Sequence, residues 1–267
     1  MSKSRFRLPI LKTFLLTVMV AALPAPFLCG LTDGPQDEPK APPATQFEVA
    51  TIKPSDPNIP NMRFMFGPGG TFEGAKLTLR FLIEQAYGLR ESQVTGGPAW
   101  IDSDTFDIKA KADGILDGPE NRRVPFQKLL ADRFHLSFHK DTTNMTHYAL
   151  VVTKKGPKFK ENTDERSIGR RARGGRGSID GPSVTIAQLI EAVSFSLERP
   201  IIDQTRLTGR YKIKLEWNDE PGPGGATDDP APSLFTALRD QLGLRLESRK
   251  GPVEILVVDQ AQKPTAN

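Results

Sequence analysis

Apolar positions recur in two distinct rhythms along this chain. From Thr78 to Gly88, Leu79, Leu82, Ile83 and Ala86 follow the i, i+3, i+4, i+7 stripe of an amphipathic helix. Thr78 is a suitable N-cap and Gly88 a suitable stop. A second stripe, Ile186, Leu189, Ile190 and Val193, follows Thr185 with Gln188 three residues on, which is a capping-box pattern. The other rhythm has period two. Tyr211, Ile213, Leu215 and Trp217 alternate with Lys212, Lys214 and Glu216, and Phe106, Ile108 and Ala110 alternate with Asp107, Lys109 and Lys111. Both stretches predict half-buried strands. Further strands are expected at Phe47–Ile52 and around Met62–Phe72, the latter folded about the turn Gly67-Pro68-Gly69-Gly70.

A helix starting near Pro125 is expected to bury Phe126, Leu129, Leu130 and Phe134. A partner helix, capped by Ser233 and stopped at Gly243, buries Leu234, Leu238 and Leu242. A closing hairpin is expected after each: His135–Lys140 with Tyr148–Thr153, and Leu244–Arg249 with Glu254–Asp259, the second turning at Lys250-Gly251-Pro252.

Four blocks recur in the same order. Thr78–Glu84 lines up with Thr185–Glu191, Phe106–Lys109 with Tyr211–Lys214, Leu129–Leu136 with Ala237–Leu244, and Leu150–Val152 with Leu256–Val258. Such ordered self-similarity predicts an internal duplication. The expected fold is α+β: two tandem, duplicated βαβαββ lobes with helices packed on small mixed sheets. The first lobe is placed at residues 46–160 and the second at 183–267. Between them, residues 161–182 read as a basic linker rich in Arg and Gly.

Composition is informative once located. The chain of 267 residues has 36 Lys+Arg against 32 Asp+Glu. The four-charge excess lies in residues 1–30, where Lys3, Arg5, Arg7 and Lys12 stand without an acid, so the remainder is formally neutral. That argues against a nucleic-acid partner on grounds of global charge. The same basic start precedes an apolar run from Thr13 to Leu23 and the small residues Ala21, Ala22 and Ala25. Residues 1–30 therefore read as a secretory signal, with an uncleaved anchor as the alternative. Residues 31–45 read as a Pro-rich tether. No other stretch is apolar enough to span a membrane. A periplasmic or extracellular location follows as the expectation. Cys29 is the sole cysteine, so no intrachain disulfide can form. It either carries lipid or leaves with the signal.

A set of motifs then points to a family. Phe47-Glu48-Val49-Ala50-Thr51-Ile52-Lys53-Pro54-Ser55, Gly96-Gly97-Pro98-Ala99-Trp100, Leu130-Ala131-Asp132-Arg133-Phe134, Ile202-Asp203-Gln204-Thr205 with Leu207-Thr208-Gly209-Arg210-Tyr211, and Val257-Val258-Asp259 with Lys263-Pro264 occur in order. Together they resemble a soil-associated family of exported proteins expanded in Acidobacteria and catalogued as a domain of unknown function. The resemblance implies no established activity. Some members are similar in arrangement to sensor regions attached to membrane metallopeptidases of antibiotic-response type. Residues 183–260 also resemble the short N-terminal domain of secretins and TonB-dependent receptors, which implies a periplasmic interaction module without catalysis.

Candidate chemistry is sparse. The three histidines, His135, His139 and His147, lie close in sequence, and a metal cluster is geometrically conceivable if His147 returns on a second strand. His135 and His139 on one strand would stand about 13 Å apart at about 3.3 Å per residue, too far for one ion. Solvent-facing or edge histidines are the expected reading, with no metal. HExxH, a GxSxG elbow and a phosphate loop are all absent. Asp102 and Asp203 precede turns, where an aspartate caps backbone amides. No catalytic residue and no cofactor is expected. Trp100, Tyr87 and Phe66 are candidate lining residues of a groove between the lobes. The expected function is an exported, non-enzymatic binding module with an envelope protein or peptide as partner. The alternatives are a ligand-sensing domain and a histidine-dependent metal hydrolase.

Overall fold

A computed structural model describes residues 42–56, 58, 61–116, 118–164, 173–175, 177–218 and 232–265. The expected signal, Cys29, most of the Pro-rich tether and the Pro/Gly/Asp stretch at 219–231 lie outside the described residues.

The first half supplies β1 (Phe47–Pro54), β2 (Arg63–Gly67), β3 (Thr71–Thr78), α1 (Leu79–Tyr87), β4 (Val94–Gly96), α2 (Trp100–Ser103), β5 (Thr105–Ala112), α3 (Pro119–Phe134) and β6 (Ser137–Val152). The second supplies β7 (Lys160–Glu161), β8 (Arg173–Gly175), β9 (Ser178–Val184), α4 (Ile186–Ser194), β10 (Ile201–Asp203), β11 (Tyr211–Glu216), α5 (Leu234–Ala237), which runs into a wider turn at Leu238–Leu242, and β12 (Leu244–Gln260). The class is α+β, built on small sheets.

The local signals act as their chemistry requires. Thr78 accepts from the Phe81 amide, and Gly88 ends α1 in the left-handed conformation at φ 66°. Thr185 and Gln188 form the reciprocal capping box of α4. Gly243 stops the helix after Leu242 at φ 66°. Along β11, Tyr211, Ile213 and Leu215 are buried while the residues between them are exposed. Asp107 is buried within β5 and accepts from the Ser55 hydroxyl at 2.7 Å and the Lys76 amide at 3.2 Å. Those two bonds satisfy a carboxylate that burial would otherwise penalise.

Three four-stranded sheets result. The two outer sheets have orders β1-β5-β3-β2 and β7-β11-β9-β8, and every neighbouring pair in them is antiparallel. The central sheet is mixed, with order β10-β6-β12-β4. Its middle is one long antiparallel ribbon, from Leu244 opposite Val152 to Gln260 opposite Ser137. At about 3.3 Å per residue, β6 extends about 50 Å. β4 joins β12 in parallel at Leu256–Val258, and β10 joins β6 in parallel at Tyr148–Leu150.

This ribbon replaces the two expected hairpins. Lys250-Gly251-Pro252 is not a turn; it lies inside β12, opposite Thr146, Met145 and Asn144. Proline is admissible there because β4 reaches only Leu256–Val258, so β12 at Pro252 has β6 on one side alone. Asp141–Asn144 is polar and exposed except for the half-buried Thr143, which hid a continuous strand from a pattern argument. The ribbon also exchanges material between the halves. Leu256 and Val258 from β12 join the core formed by β1, β3, β5, α1 and α3. Leu150 from β6 joins the core formed by β9, β11 and α4.

Two further expectations change. α3 begins at Pro119, and Pro125 lies inside it. The polar turn Glu120–Arg123 carries no apolar stripe and so gave no helical signal. Residues 161–182, expected to be a linker, include strands β8 and most of β9. Ile179 and Ser183 are buried, but Gly and Arg around them obscure the alternation. Among the described residues, no helix is long and apolar enough to cross a membrane.

Candidate functional site

The site begins at the C-terminus of α1. Gly88 bends the chain sharply, and a β-carbon there would stand 2.6 Å from Arg123 Nη2. Glycine thus provides both the left-handed turn and the room for a guanidinium from α3. The chain continues through Leu89 and Arg90 into a short turn at Glu91–Gln93, where Gln93 accepts from the Arg90 amide at 3.2 Å. Gln93 also donates to the Glu254 carbonyl at 3.0 Å, which ties this turn to the ribbon.

α4 and the start of β10 face this corner. Between them and α1 and α3 lies a cavity of about 330 Å3. Apolar side chains, Phe64, Phe126 and Ile190 among them, line part of it. Its charged lining is Glu84 from α1, Arg90 after it, Arg122 and Arg123 from α3, Glu191 from α4 and Asp203 at the end of β10. Such a mixture of apolar wall and few convergent polar groups is the usual make-up of a ligand pocket.

Each charged group has a defined environment. Arg123 Nη2 meets Glu191 Oε1 at 3.1 Å. Burial raises the Glu191 carboxyl above its ordinary value, and the attraction of Arg123 only partly offsets that. Burial also raises Glu84, from an ordinary 4.5 to about 7, with help from the nearby Glu91 carboxylate and against the pull of Arg90 and Arg80. Arg122 donates from Nε to the Leu116 carbonyl at 2.7 Å. Its guanidinium lies 3.6 Å from the centroid of the Phe66 ring, and burial lowers its pKa. Arg90 donates from Nη2 to the Leu197 carbonyl at 2.7 Å. The Nε groups of Arg90 and Arg123 are buried and have no hydrogen-bond partner among the described residues.

The aromatic residues singled out from the sequence go elsewhere. Trp100 opens α2 and packs edge-on against Phe106 at 6.2 Å, with Lys263 over its ring. Tyr87 packs against Phe138 at 4.9 Å. Phe66 sits among Phe64, Phe72 and Phe126 and contacts Arg122. All three pack on the first core, and none lines the cavity.

The histidines do not converge. His135 is the left-handed cap of α3 at φ 47°, not a strand residue. His139 is exposed on β6, with Nδ1 2.7 Å from Asp259 Oδ1. His147 lies on the same strand rather than a returning one, and it is buried, 4% exposed; of the expected solvent-facing or edge positions it takes the second, since β6 at His147 pairs with β12 alone. Eight residues along one strand separate His139 from His147 by about 26 Å. No group of three metal-ligating side chains occurs among the described residues. Asp203 caps the Thr205 amide at 2.8 Å as expected. Asp102 instead forms an ion pair with Arg80.

One signal for the cavity was present in the sequence. Glu84 and Glu191 end the first pair of recurring blocks, and both reach this space. The arginines carried no signal, because they stand in polar stretches that look like solvated surface.

The family model described as "Protein of unknown function (DUF3738)" matches residues 80–261. Comparison with curated proteins and with solved structures found no match.

Proposed function

The chain belongs to that family, and from that premise we propose that it is an exported, non-catalytic binding module that takes up a small ligand in the cavity between α1, α3 and α4. The observation that carries this reading is the convergence of Glu84, Arg90, Arg122, Arg123 and Glu191 on one partly apolar space of about 330 Å3. Charged groups drawn together from separate helices cost desolvation energy, and a ligand returns it. The cavity joins the two halves, so occupancy would bias their packing, as a sensing role in the cell envelope requires. Export is supported by the basic and apolar pattern of residues 1–30. An internal duplication is supported by the recurring blocks and by the matching strand order of the outer sheets.

A thermal-shift screen of the purified chain with cell-wall fragments, organic acids and small apolar molecules tests the reading. A subset is expected to raise Tm, and Ala187→Trp, which fills the cavity from its wall, is expected to abolish the rise. No shift from any compound, or a shift that A187W leaves intact, would sink it.

The earlier expectation of an envelope protein or peptide partner keeps one supporting observation. Between the short stretches covered by β10 and β4, no further strand pairs with the ribbon among the described residues, although the Glu254 carbonyl on its β12 side is taken by Gln93. Unpaired strand edges can accept a partner strand. Pull-down from envelope extracts with and without the cavity-filling variant separates the two modes: a specific partner retained by A187W would support ribbon docking.

A further inference from the structure

Phe195 differs from the other exposed apolar side chains in that it also lines the cavity. It follows α4 directly and is 65% exposed. The other exposed phenyl among the described residues, Phe235, packs against Tyr148 with centroids 5.5 Å apart; Phe195 joins neither core. Its backbone is nevertheless held. The Ser196 and Leu197 amides donate to the Val193 and Ser194 carbonyls, each at 3.1 Å. Ser196 Oγ accepts from Trp217 Nε1 at 3.1 Å, and the Leu197 carbonyl accepts from Arg90 at 2.7 Å. A ring that borders the cavity, keeps most of its surface in water and sits on a fixed backbone marks where the cavity meets solvent. A single exposed apolar residue is ordinary on a protein surface, but one at a cavity mouth gains when a ligand covers it.

The charges of the lining are balanced. Three acids, Glu84, Glu191 and Asp203, stand against three arginines, Arg90, Arg122 and Arg123. Most are already met within the protein: Arg123 by Glu191, Arg90 and Arg122 by main-chain carbonyls, and Asp203 by the Thr205 amide and hydroxyl. A charged ligand would have to break these contacts or stay uncompensated. A neutral group that both donates and accepts meets carboxylate and guanidinium alike. The apolar wall is aromatic, with Phe64 and Phe126 stacked at a centroid distance of 5.8 Å, and ring pairs gain beyond simple burial. Resting on the cavity reading above, we infer that the ligand is an uncharged molecule with an aromatic ring and an amide-like polar group, and that Phe195 packs against its ring at the mouth. The volume of about 330 Å3 is at the small end for ligand pockets and suits one ring with a short polar group.

Calorimetric titration of the full purified chain with matched probes tests the inference. Benzamide is expected to bind at least about tenfold more tightly than benzoate or benzylammonium, and at least about threefold more tightly than the ringless hexanamide. Phe195→Ala is expected to weaken benzamide roughly three- to tenfold and hexanamide less than about twofold, whereas Phe195→Tyr keeps benzamide within about twofold of the wild type. Because Phe195 is exposed and in neither core, thermal melts of F195A are expected to match the wild type, which separates lost binding from lost folding. A charged probe that binds more tightly than benzamide, or benzamide affinity unchanged in F195A, would overturn the inference; if A187W abolishes that binding, the cavity reading stands. Benzamide that does not bind would overturn the inference as well, and any other compound whose binding is lost in A187W would keep the cavity reading.

Discussion

The two cores are filled in different ways. The first is rich in aromatic rings. Phe126 is fully buried and meets Phe47, Phe64 and Phe72 with centroids 4.9–5.8 Å apart. A helix of 16 residues, α3, covers its sheet. The second core is mainly aliphatic, built from Ile186, Leu189, Val193, Ile213, Leu215 and Leu238. Its counterpart to α3 is α5, only 4 residues long before the turn widens at Leu238–Leu242. α4 consequently offers its outer side, Ala187 to Ser194, to α1 and α3 rather than only to its own sheet. The cavity lies at that junction. Unequal filling of two similarly ordered sheets therefore leaves a site between them, and the shared ribbon holds the arrangement in place.

The largest test removes the centre of the aromatic core. Phe126→Ala is expected to cost about 3–5 kcal/mol, and Leu189→Ala in the second core about 2–5 kcal/mol. If the ribbon couples the cores, one cooperative transition should be seen from both sides. Trp217 reports the second core and Trp100 the first. In F126A, fluorescence of a Trp100→Phe background should therefore show the same lowered midpoint as that of a Trp217→Phe background. Separate midpoints would mean that the cores unfold independently.

A smaller effect concerns the junction itself. Glu84 has a carboxyl at about 7 in the fold against an ordinary 4.5. Between those values the folded state binds the extra proton, so stability declines as pH rises from about 4.5 to about 7 and then levels. Allowing for solvent screening of this partly exposed group, the expected decline is about 1–2 kcal/mol. Urea unfolding of the wild type and Glu84→Gln at pH 5 and pH 8 checks it. The variant should gain relative stability at pH 8 and match the wild type more closely at pH 5. Equal pH dependence in both proteins would remove Glu84 as the cause.

The smallest comparison sets the helix caps side by side. Thr78→Ala removes a single side-chain bond, whereas Thr185→Ala breaks a reciprocal box. Both are expected to cost about 1 kcal/mol, with the larger loss at Thr185. Thermal melts with the order reversed would show that the α4 start contributes less than its hydrogen bonds imply.

Much of the fold was legible where local chemistry decides it. Thr78, Gly88, Thr185, Ser233 and Gly243 mark helix ends by hydrogen-bonding capacity or backbone freedom, which neighbours in space do little to alter. The alternation at Tyr211–Glu216 placed one face in a core. Legibility ended where the pattern was weak or long-range pairing took over. Asp141–Asn144 is polar yet extended because β12 pairs with it. Gly251-Pro252 has the composition of a turn but lies in a strand. His147 has the appearance of a surface residue, but Gly251 opposite Met145 leaves space beside it, and a β-carbon on Gly251 would come within 3.5 Å of His147 Cε1. The site was harder still: Arg90, Arg122 and Arg123 give no periodic signal, and only Glu84 and Glu191 stood in matched positions.

The sequence by itself determined the α+β class, the helix caps, the two amphipathic stripes and the alternating strands, because each depends on residues within a few positions of one another. The tertiary structure decided the shared ribbon, the exchange of Leu150, Leu256 and Val258 between cores, and the meeting of three arginines with two glutamates. Those features depend on contacts between segments far apart in the chain. Their energies come from burial and pairing that no local pattern encodes.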